Sequence, residues 1–215
     1  MDEKFMQIVD GLKQSYAERP FRDSTDDINE LSIQNKQKID KQSVDAANIL
    51  VNYFWSNKGA PLRIGDMMEA LGFAVILDDT SQDDKLSGAL AIDNNSSVDY
   101  FKKMIIINSK DNIGHQRFTI AHELAHYIFD ALPEQEYYEA YYRTDESKNN
   151  EIREYRANQF AANLLMPESI FVPRYEYVAA KIKDSQTVQM ILSLDFGVSK
   201  TAIKRRIEEL NLGAN

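Results

Sequence analysis

Residues 115–132 read HQRFTIAHELAHYIFDAL, and this stretch decides how the rest of the chain is interpreted. Its apolar residues recur at helical spacing, and one side of such a helix carries Ile120, Leu124 and Ile128. His122 and His126 are four residues apart, so the helix sets both imidazoles one turn apart on the opposite side, with Glu123 beside them. The sequence therefore predicts a helix that packs on one side and offers a two-histidine metal chelate on the other.

A metal bound here needs a third protein ligand and an open position for water. The 215 residues contain no cysteine, so that ligand must be His, Asp or Glu. Glu154 is the candidate, because it shares a helical face with Ala157 and Ala161, whose small side chains allow close helix packing. Asn158, one turn further on, would orient a ligating histidine through its far ring nitrogen. The alternative interpretation is that Glu154 and Asn158 are solvated residues of an exposed helix face.

Three strand-like runs precede this helix and predict a small sheet of at least three strands. They read FAVILDD from Phe73, LSGALAID from Leu86 and KKMIIINS from Lys102. The small residues of the segment from Ser87 to Ala91 would let an extended substrate approach and pair with that strand. The alternative is an ordinary strand that contains a bulge.

Further helices are predicted on both sides of these elements. Upstream they cover most of residues 1–18, with Phe5, Ile8, Val9 and Leu12 on one face, then a stretch from Ser43 to Phe54, then Ile64 to Leu71 ended by Gly72. Residues 21–42 are polar and are interpreted as a linker or accessory arm. His115 lies two turns before His122, which favours a role in capping or packing over ligation.

The C-terminal part is predicted to be helical throughout. A stretch of roughly residues 169–183 is followed by two short helices joined around Phe196–Gly197–Val198, a helix-turn-helix spacing. The last helix carries a basic cluster that could contact phosphates: Lys200, Lys204, Arg205 and Arg206. Its apolar residues could instead pack the tail on the core, and these are Ile203, Ile207 and Leu210.

The stretch FTIAHELAHYIF, followed by ExxxANQFAANLLMP, resembles the ImmA/IrrE family of bacterial metallo-endopeptidases from about residue 45 to the C-terminus. The resemblance implies that His122, His126 and Glu154 bind one zinc ion per chain and that Glu123 is the catalytic base. Members of the family often carry Gly at the position of Ala125 and an acid at that of Arg156. Neither departure touches a predicted ligand, so the chemistry is expected to be intact.

The expected fold is α+β. It comprises a zincin-like metallopeptidase domain with a small sheet and an HExxH active-site helix, and a helical, helix-turn-helix-like C-terminal part. The expected divisions are residues 1–42 as an N-terminal helix and arm, 43–183 as the peptidase domain, and 184–215 as helices packed on it.

The expected function is zinc-dependent endopeptidase activity. Glu123 would take a proton from a metal-activated water that attacks a peptide carbonyl, and would then protonate the leaving amine. The resemblance implies a protein substrate, a helix-turn-helix repressor of the XRE type. A group of tyrosines between the two site helices fits an oxyanion stabiliser or a lid equally well: Tyr137, Tyr138, Tyr141 and Tyr142.

The net charge and the N-terminal sequence argue against two classes of protein, nucleic-acid-binding proteins and secreted or membrane proteins. The formal net charge of -9 and the pI near 4.9 argue against nucleic-acid binding over the whole protein surface. The first twenty residues lack an apolar run long enough for a signal peptide or membrane span, so a cytoplasmic location without membrane association is expected. The alternative function is a DNA-binding or protein-binding regulator that uses the helix-turn-helix-like tail and holds a structural metal.

Overall fold

The computed structural model describes residues 7–8, 10–12, 29, 31–55, 61–79, 87–93, 96–98, 102–132 and 151–213. These residues form a mixed α and β fold in which helices pack against one small sheet. The helices are α1 (Ile33–Phe54), α2 (Ile64–Ala70), α3 (Ile113–His126), α4 (Glu151–Leu165), α5 (Glu168–Lys181), α6 (Ser185–Phe196) and α7 (Lys200–Glu209), and a π-helical turn, Tyr127–Ala131, extends α3. The strands are β1 (Ala74–Asp78), β2 (Gly88–Ile92) and β3 (Lys103–Asn108).

The three predicted strands form one sheet in the order β1-β3-β2. Strand β3 pairs in parallel with β1 and antiparallel with β2, which forms one edge of the sheet. The pairing of β2 runs without interruption from Gly88 opposite Ile107 to Ile92 opposite Lys103, so the strand contains no bulge there. Helix α3 packs across β2 and β3, and a Cβ on Gly88 would lie only 2.3 Å from Thr119 Cγ2 of that helix. The glycine is therefore what allows α3 to lie this close to the edge strand.

The core fills the space between α3, α4 and the sheet. The predicted apolar side of α3 is buried, with Leu124 and Ile128 each 1% exposed. Burying an aliphatic side chain of this size contributes about 1.5–3 kcal/mol. Ala157 and Ala161 of α4 are also buried, at 1% and 0% exposure, and α4 packs directly on α3. Small residues on α4 thus bring the two site helices together, as the sequence predicts.

Helix α1 begins ten residues earlier than the sequence indicates. The interpretation of residues 21–42 as a polar linker is wrong for 33–42, which are helical and pack on α4. Ser32 caps the helix by accepting a hydrogen bond from the backbone N–H of Asn35, and Ile39 is fully buried. Gln and Lys are good helix formers, so one buried face suffices to fix a polar segment as a helix. The predicted boundary after residue 42 consequently falls inside α1, and the division of the chain into domains stays a prediction.

The N-terminal helix is described in part. Residues 7–8 and 10–12 are helical, and Ile8 and Leu12 are buried at 3% and 4% exposure, as the spacing predicts. Phe5 and Val9 of the same predicted face lie outside the described residues.

The two predicted tail helices are present, and their turn packs on the start of α3. Gly197 ends α6 in a left-handed conformation (φ 63°), and its carbonyl accepts a hydrogen bond from Arg117 Nε at 2.8 Å. Arg117 also donates to the carbonyl of Leu62 at 2.7 Å, which ties three chain segments together. Among the described residues, no helix is both long and apolar enough to span a membrane.

Replacement of Gly114 by Ala should loosen this contact. A Cβ there would lie 2.7 Å from the carbonyl carbon of Val198 and 2.8 Å from the nitrogen of Ser199, so backbone must move. We expect the free energy of unfolding to fall by about 1–3 kcal/mol in urea denaturation. Gly65→Ala is the matched control: no atom lies within 4 Å of that Cβ, and the exposed helical position should be unchanged or stabilised by about 0.4–1 kcal/mol. Equal effects of the two substitutions would contradict the close contact.

Candidate metal centre

Helix α3 is fixed at its start by polar contacts with the loop that follows β3. Asn112 caps the helix by accepting a hydrogen bond from the backbone N–H of His115 at 3.0 Å. Gln116 Nε2 donates to three loop carbonyls, those of Asn108, Ser109 and Asp111, at 2.9–3.3 Å. These contacts set the rotation of α3 and hence the direction in which its histidines point.

Three side chains from α3 and α4 converge on one point. His122 Nε2 lies 3.1 Å from His126 Nε2, and the two oxygens of Glu154 lie 3.2 Å from the first nitrogen and 3.4 Å from the second. In the part of the chain that the structure describes, these three residues are the His/Asp/Glu group able to hold a metal ion. The structure thus brings together the three residues that the sequence predicts as ligands.

The far nitrogen of His122 contacts the residue predicted to orient it. His122 Nδ1 lies 3.1 Å from Asn158 Oδ1, one turn beyond Glu154 on α4. An amide oxygen accepts only, so Nδ1 carries the proton and Nε2 presents its lone pair to the cluster. This is the tautomer that a metal-ligating histidine requires.

His126 is oriented by a residue that the sequence did not indicate. Its Nδ1 donates to Asp130 Oδ2 at 3.0 Å, so its Nε2 also faces the cluster. Burial alone would lower the pKa of His126, but hydrogen bonds with Asp130 and Glu154 and the charges of Asp130 and Glu123 raise that pKa to about 8. The environment of this imidazole therefore favours a positive charge at its position, whether a proton or a cation supplies it.

Asp130 lies between two arginines of α4. Arg156 Nη2 lies 2.5 Å from one carboxylate oxygen and Arg153 Nη2 lies 3.0 Å from the other. Burial alone would raise the pKa of Asp130, but the hydrogen bond from His126 and the charges of Arg156 and Arg153 hold it below its usual value. The sequence predicts that the departure at Arg156 touches no ligand; the structure places Arg156 against Asp130, the side chain that contacts His126.

One feature of the sequence could have signalled Asp130. It lies four residues after His126, a spacing that places two helical side chains next to each other. Residues 127–131 form a π-helical turn, and such turns are frequent at functional sites, but the sequence shows no pattern that predicts one. The four-residue spacing from His126 is therefore the signal that the sequence carries.

Glu123 and Glu154 differ in exposure. Glu123 is 2% exposed, next to His122 on α3, and its charge acts on His126. The side chain of Glu154 is 42% exposed, against 11% for each histidine. The cluster is therefore closed behind the histidines and accessible from the side of Glu154.

The remaining candidates of the sequence lie elsewhere. His115 is outside the cluster, and its Nε2 lies 3.1 Å from Ser87 Oγ and 3.5 Å from an Asp111 oxygen, consistent with the predicted packing role. The tyrosines considered for an oxyanion stabiliser or a lid, Tyr137, Tyr138, Tyr141 and Tyr142, lie outside the described residues.

The basic cluster of the tail is divided by the fold. Arg206 is 2% exposed and donates to the Met166 carbonyl at 3.1 Å and to Asn163 Oδ1 at 2.8 Å, so it packs the tail and cannot reach a phosphate. Lys200, Lys204 and Arg205 are exposed. The DNA-binding alternative has thereby lost one of its four basic residues.

The donor set fits a zinc-type cation. Zinc binds imidazole nitrogen and carboxylate oxygen at about 2.0–2.2 Å in tetrahedral sites, which places adjacent donor atoms about 3.3–3.5 Å apart. The two imidazole nitrogens here are 3.1 Å apart, and each lies 3.2 or 3.4 Å from a different oxygen of the Glu154 carboxylate. Hard cations such as Mg²⁺ and Ca²⁺ prefer oxygen ligands throughout, and two imidazoles disfavour them. His122, His126 and Glu154 could therefore hold one divalent transition metal and leave a fourth position for water.

Comparison with known proteins supports this picture at the level of the family. No curated protein matches the chain. A solved structure described as a Mycobacterium tuberculosis transcriptional regulator is similar, with a TM-score of 0.43 and 16% identity over 95% of this chain and 52% of that one. The chain thus spans about half the length of that regulator. The model of the IrrE N-terminal-like domain, Peptidase_M78, matches residues 70–208, which include α3, α4 and the whole His–His–Glu cluster. The match covers more than half of the chain, which therefore belongs to the Peptidase_M78 family of IrrE N-terminal-like domains.

Proposed function

We propose that the chain is a zinc-dependent endopeptidase whose metal is held by His122, His126 and Glu154. The observation that carries the proposal is the convergence of their donor atoms within 3.4 Å, from two helices that are separate in sequence. Membership of a metallopeptidase family supports the same chemistry. Three protein ligands with one open side are typical of a catalytic zinc site, whereas structural sites are closed by four.

Glu123 is proposed as the general base. When bound, the cation would polarise a peptide carbonyl and lower the pKa of a water at the open position. The Glu123 carboxylate would accept the proton of the attacking water and return it to the leaving amine nitrogen. Its position supports this role, because Glu123 lies next to His122 on the helix that carries two of the proposed ligands and is 2% exposed, so that bulk water has little access to the carboxylate.

An extended polypeptide is the proposed substrate. Strand β2 forms an edge of the sheet and packs on α3 at Gly88 and Thr119, so a chain paired with β2 would run beside the site helix. The resemblance to the ImmA/IrrE family extends the proposal to a helix-turn-helix repressor of the XRE type as the protein that is cleaved.

Metal content tests the ligand set. We expect about one zinc per chain by elemental analysis of protein purified without chelator, and a large loss in Glu154→Gln, because two imidazoles alone hold zinc weakly. Glu151→Gln removes an exposed carboxylate three residues earlier on α4 and should keep the metal. A wild-type chain that stays free of zinc after supplementation would sink the proposal.

Glu123→Gln separates catalysis from metal binding. The amide cannot accept a proton, so peptide cleavage should fall by about 10²–10⁴-fold while zinc content stays at the wild-type value. Cleavage can be followed by mass spectrometry, first on a library of unstructured peptides and then on purified helix-turn-helix repressors. Undiminished cleavage in this variant would show that another group is the base.

Asn158→Ala tests the orientation of His122. Losing the acceptor of the Nδ1 proton should weaken zinc binding by about 10-fold or more, with little change in unfolding temperature, since Asn158 is exposed. Competition with a chromogenic chelator measures the affinity. Gln159→Ala, on the neighbouring position of α4, is the control and should bind zinc as the wild type does.

A further inference from the structure

Each histidine of the cluster is tied to α4 through its far nitrogen, but the two ties differ. Asn158 contacts His122 directly, whereas His126 is reached through Asp130, which lies in the π-helical turn after α3. Arg153 and Arg156 then connect Asp130 to α4. Helix α4 thus carries the third predicted ligand and, on both sides of it, residues that act on the other two.

The contacts of Asp130 leave its carboxylate little freedom. One oxygen is shared by His126 and Arg153, both at 3.0 Å, and the other contacts Arg156 at 2.5 Å. The Arg156 guanidinium also lies 4.8 Å from the centre of the Phe129 ring, which holds it in place through a cation–π contact. The side chains of His126 and Asp130 are 11% and 12% exposed, so water competes little for this hydrogen bond.

Arg153 and Arg156 both contact the Asp130 carboxylate, although one positive charge would balance its charge. A single arginine would neutralise Asp130, but it would leave one oxygen free to rotate away from the imidazole. With both oxygens occupied from α4, the acceptor for the His126 Nδ1 proton stays in one plane, and Nε2 stays aimed at the cluster.

We infer that Asp130, held by Arg153 and Arg156, is the positioning residue for His126 and sets the affinity of the centre for its metal. The inference rests on the proposed function, because it assumes that His126 is a ligand. Asp130 does not touch the reacting atoms and acts only through the orientation of His126. Residues that orient metal-binding histidines in this way typically change affinity by about 10–100-fold.

Cobalt titration of the full chain tests this positioning role. Co²⁺ accepts the same donors as zinc, and its visible absorption reports the geometry of the ligands. We expect Asp130→Asn to bind Co²⁺ about 10–100-fold more weakly than the wild type and with a shifted spectrum. Arg156→Gln should show a smaller loss, and Arg156→Lys should recover part of it, because it retains a cation near the carboxylate.

Arg174→Gln is the matched control. It removes an ion pair of similar length, Arg174 Nε to Asp195 Oδ2 at 2.7 Å, between α5 and α6. It should leave Co²⁺ affinity and spectrum unchanged. Urea unfolding of the metal-free proteins shows which variants are folded, and Arg156→Lys, the mildest change, keeps the comparison informative if Asp130→Asn does not fold.

The outcomes separate this inference from the proposed function. In one outcome, the wild type binds Co²⁺ tightly and the folded Asp130 and Arg156 variants show the same affinity and spectrum. That result would overturn the positioning role alone, and the network would then be structural. Absence of Co²⁺ and Zn²⁺ binding by the wild type would overturn the proposed function together with it. Weaker binding and an altered spectrum in the variants, with the control unchanged, would establish the positioning role.

Discussion

The structure depends on the mutual approach of three electron-rich side chains at the interface of α3 and α4. Two imidazole nitrogens and a carboxylate within 3.4 Å of one another repel unless a proton or cation lies between them. Close packing elsewhere in the fold offsets the free-energy cost of this approach. Buried alanines on α4 let it pack closely on α3, and glycines let other segments lie against α3. Hydrogen bonds to the far nitrogen of each histidine also hold the two helices at this separation.

This arrangement explains why most residues of the site could be predicted from the sequence. His122 and His126 are four residues apart, so a helix alone places both side chains on the same face. Glu154 and Asn158 required one step more, the assumption that α4 packs on α3, which Ala157 and Ala161 favour. The three strands could also be predicted, because each is a short apolar run and polar, turn-rich segments separate the runs.

The errors have one common cause, which is that packing between distant segments decides the role of polar residues. Residues 33–42 look like a linker by composition, yet a buried Ile39 and the packing of α1 on α4 make them helical. Arg206 looks like part of a basic surface, yet it is buried against Asn163. Asp130 looked unremarkable because neither the π-helical turn nor the arginines of α4 can be inferred from its neighbours in sequence.

Helix α1 lies outside the residues that match the Peptidase_M78 family, which begin at 70. It nevertheless covers the back of α4: the Tyr155 hydroxyl donates to Asp40 at 2.7 Å, and the Ser43 hydroxyl donates to the Arg156 carbonyl. Tyr155 and Arg156 are one and two residues after Glu154. The limit of sequence similarity is therefore not the limit of the packed structure, and a chain shortened to the family boundary would expose the apolar back of the helix that carries the proposed third ligand. Selection on the proposed metal centre would accordingly also act on a segment that lies outside the family match.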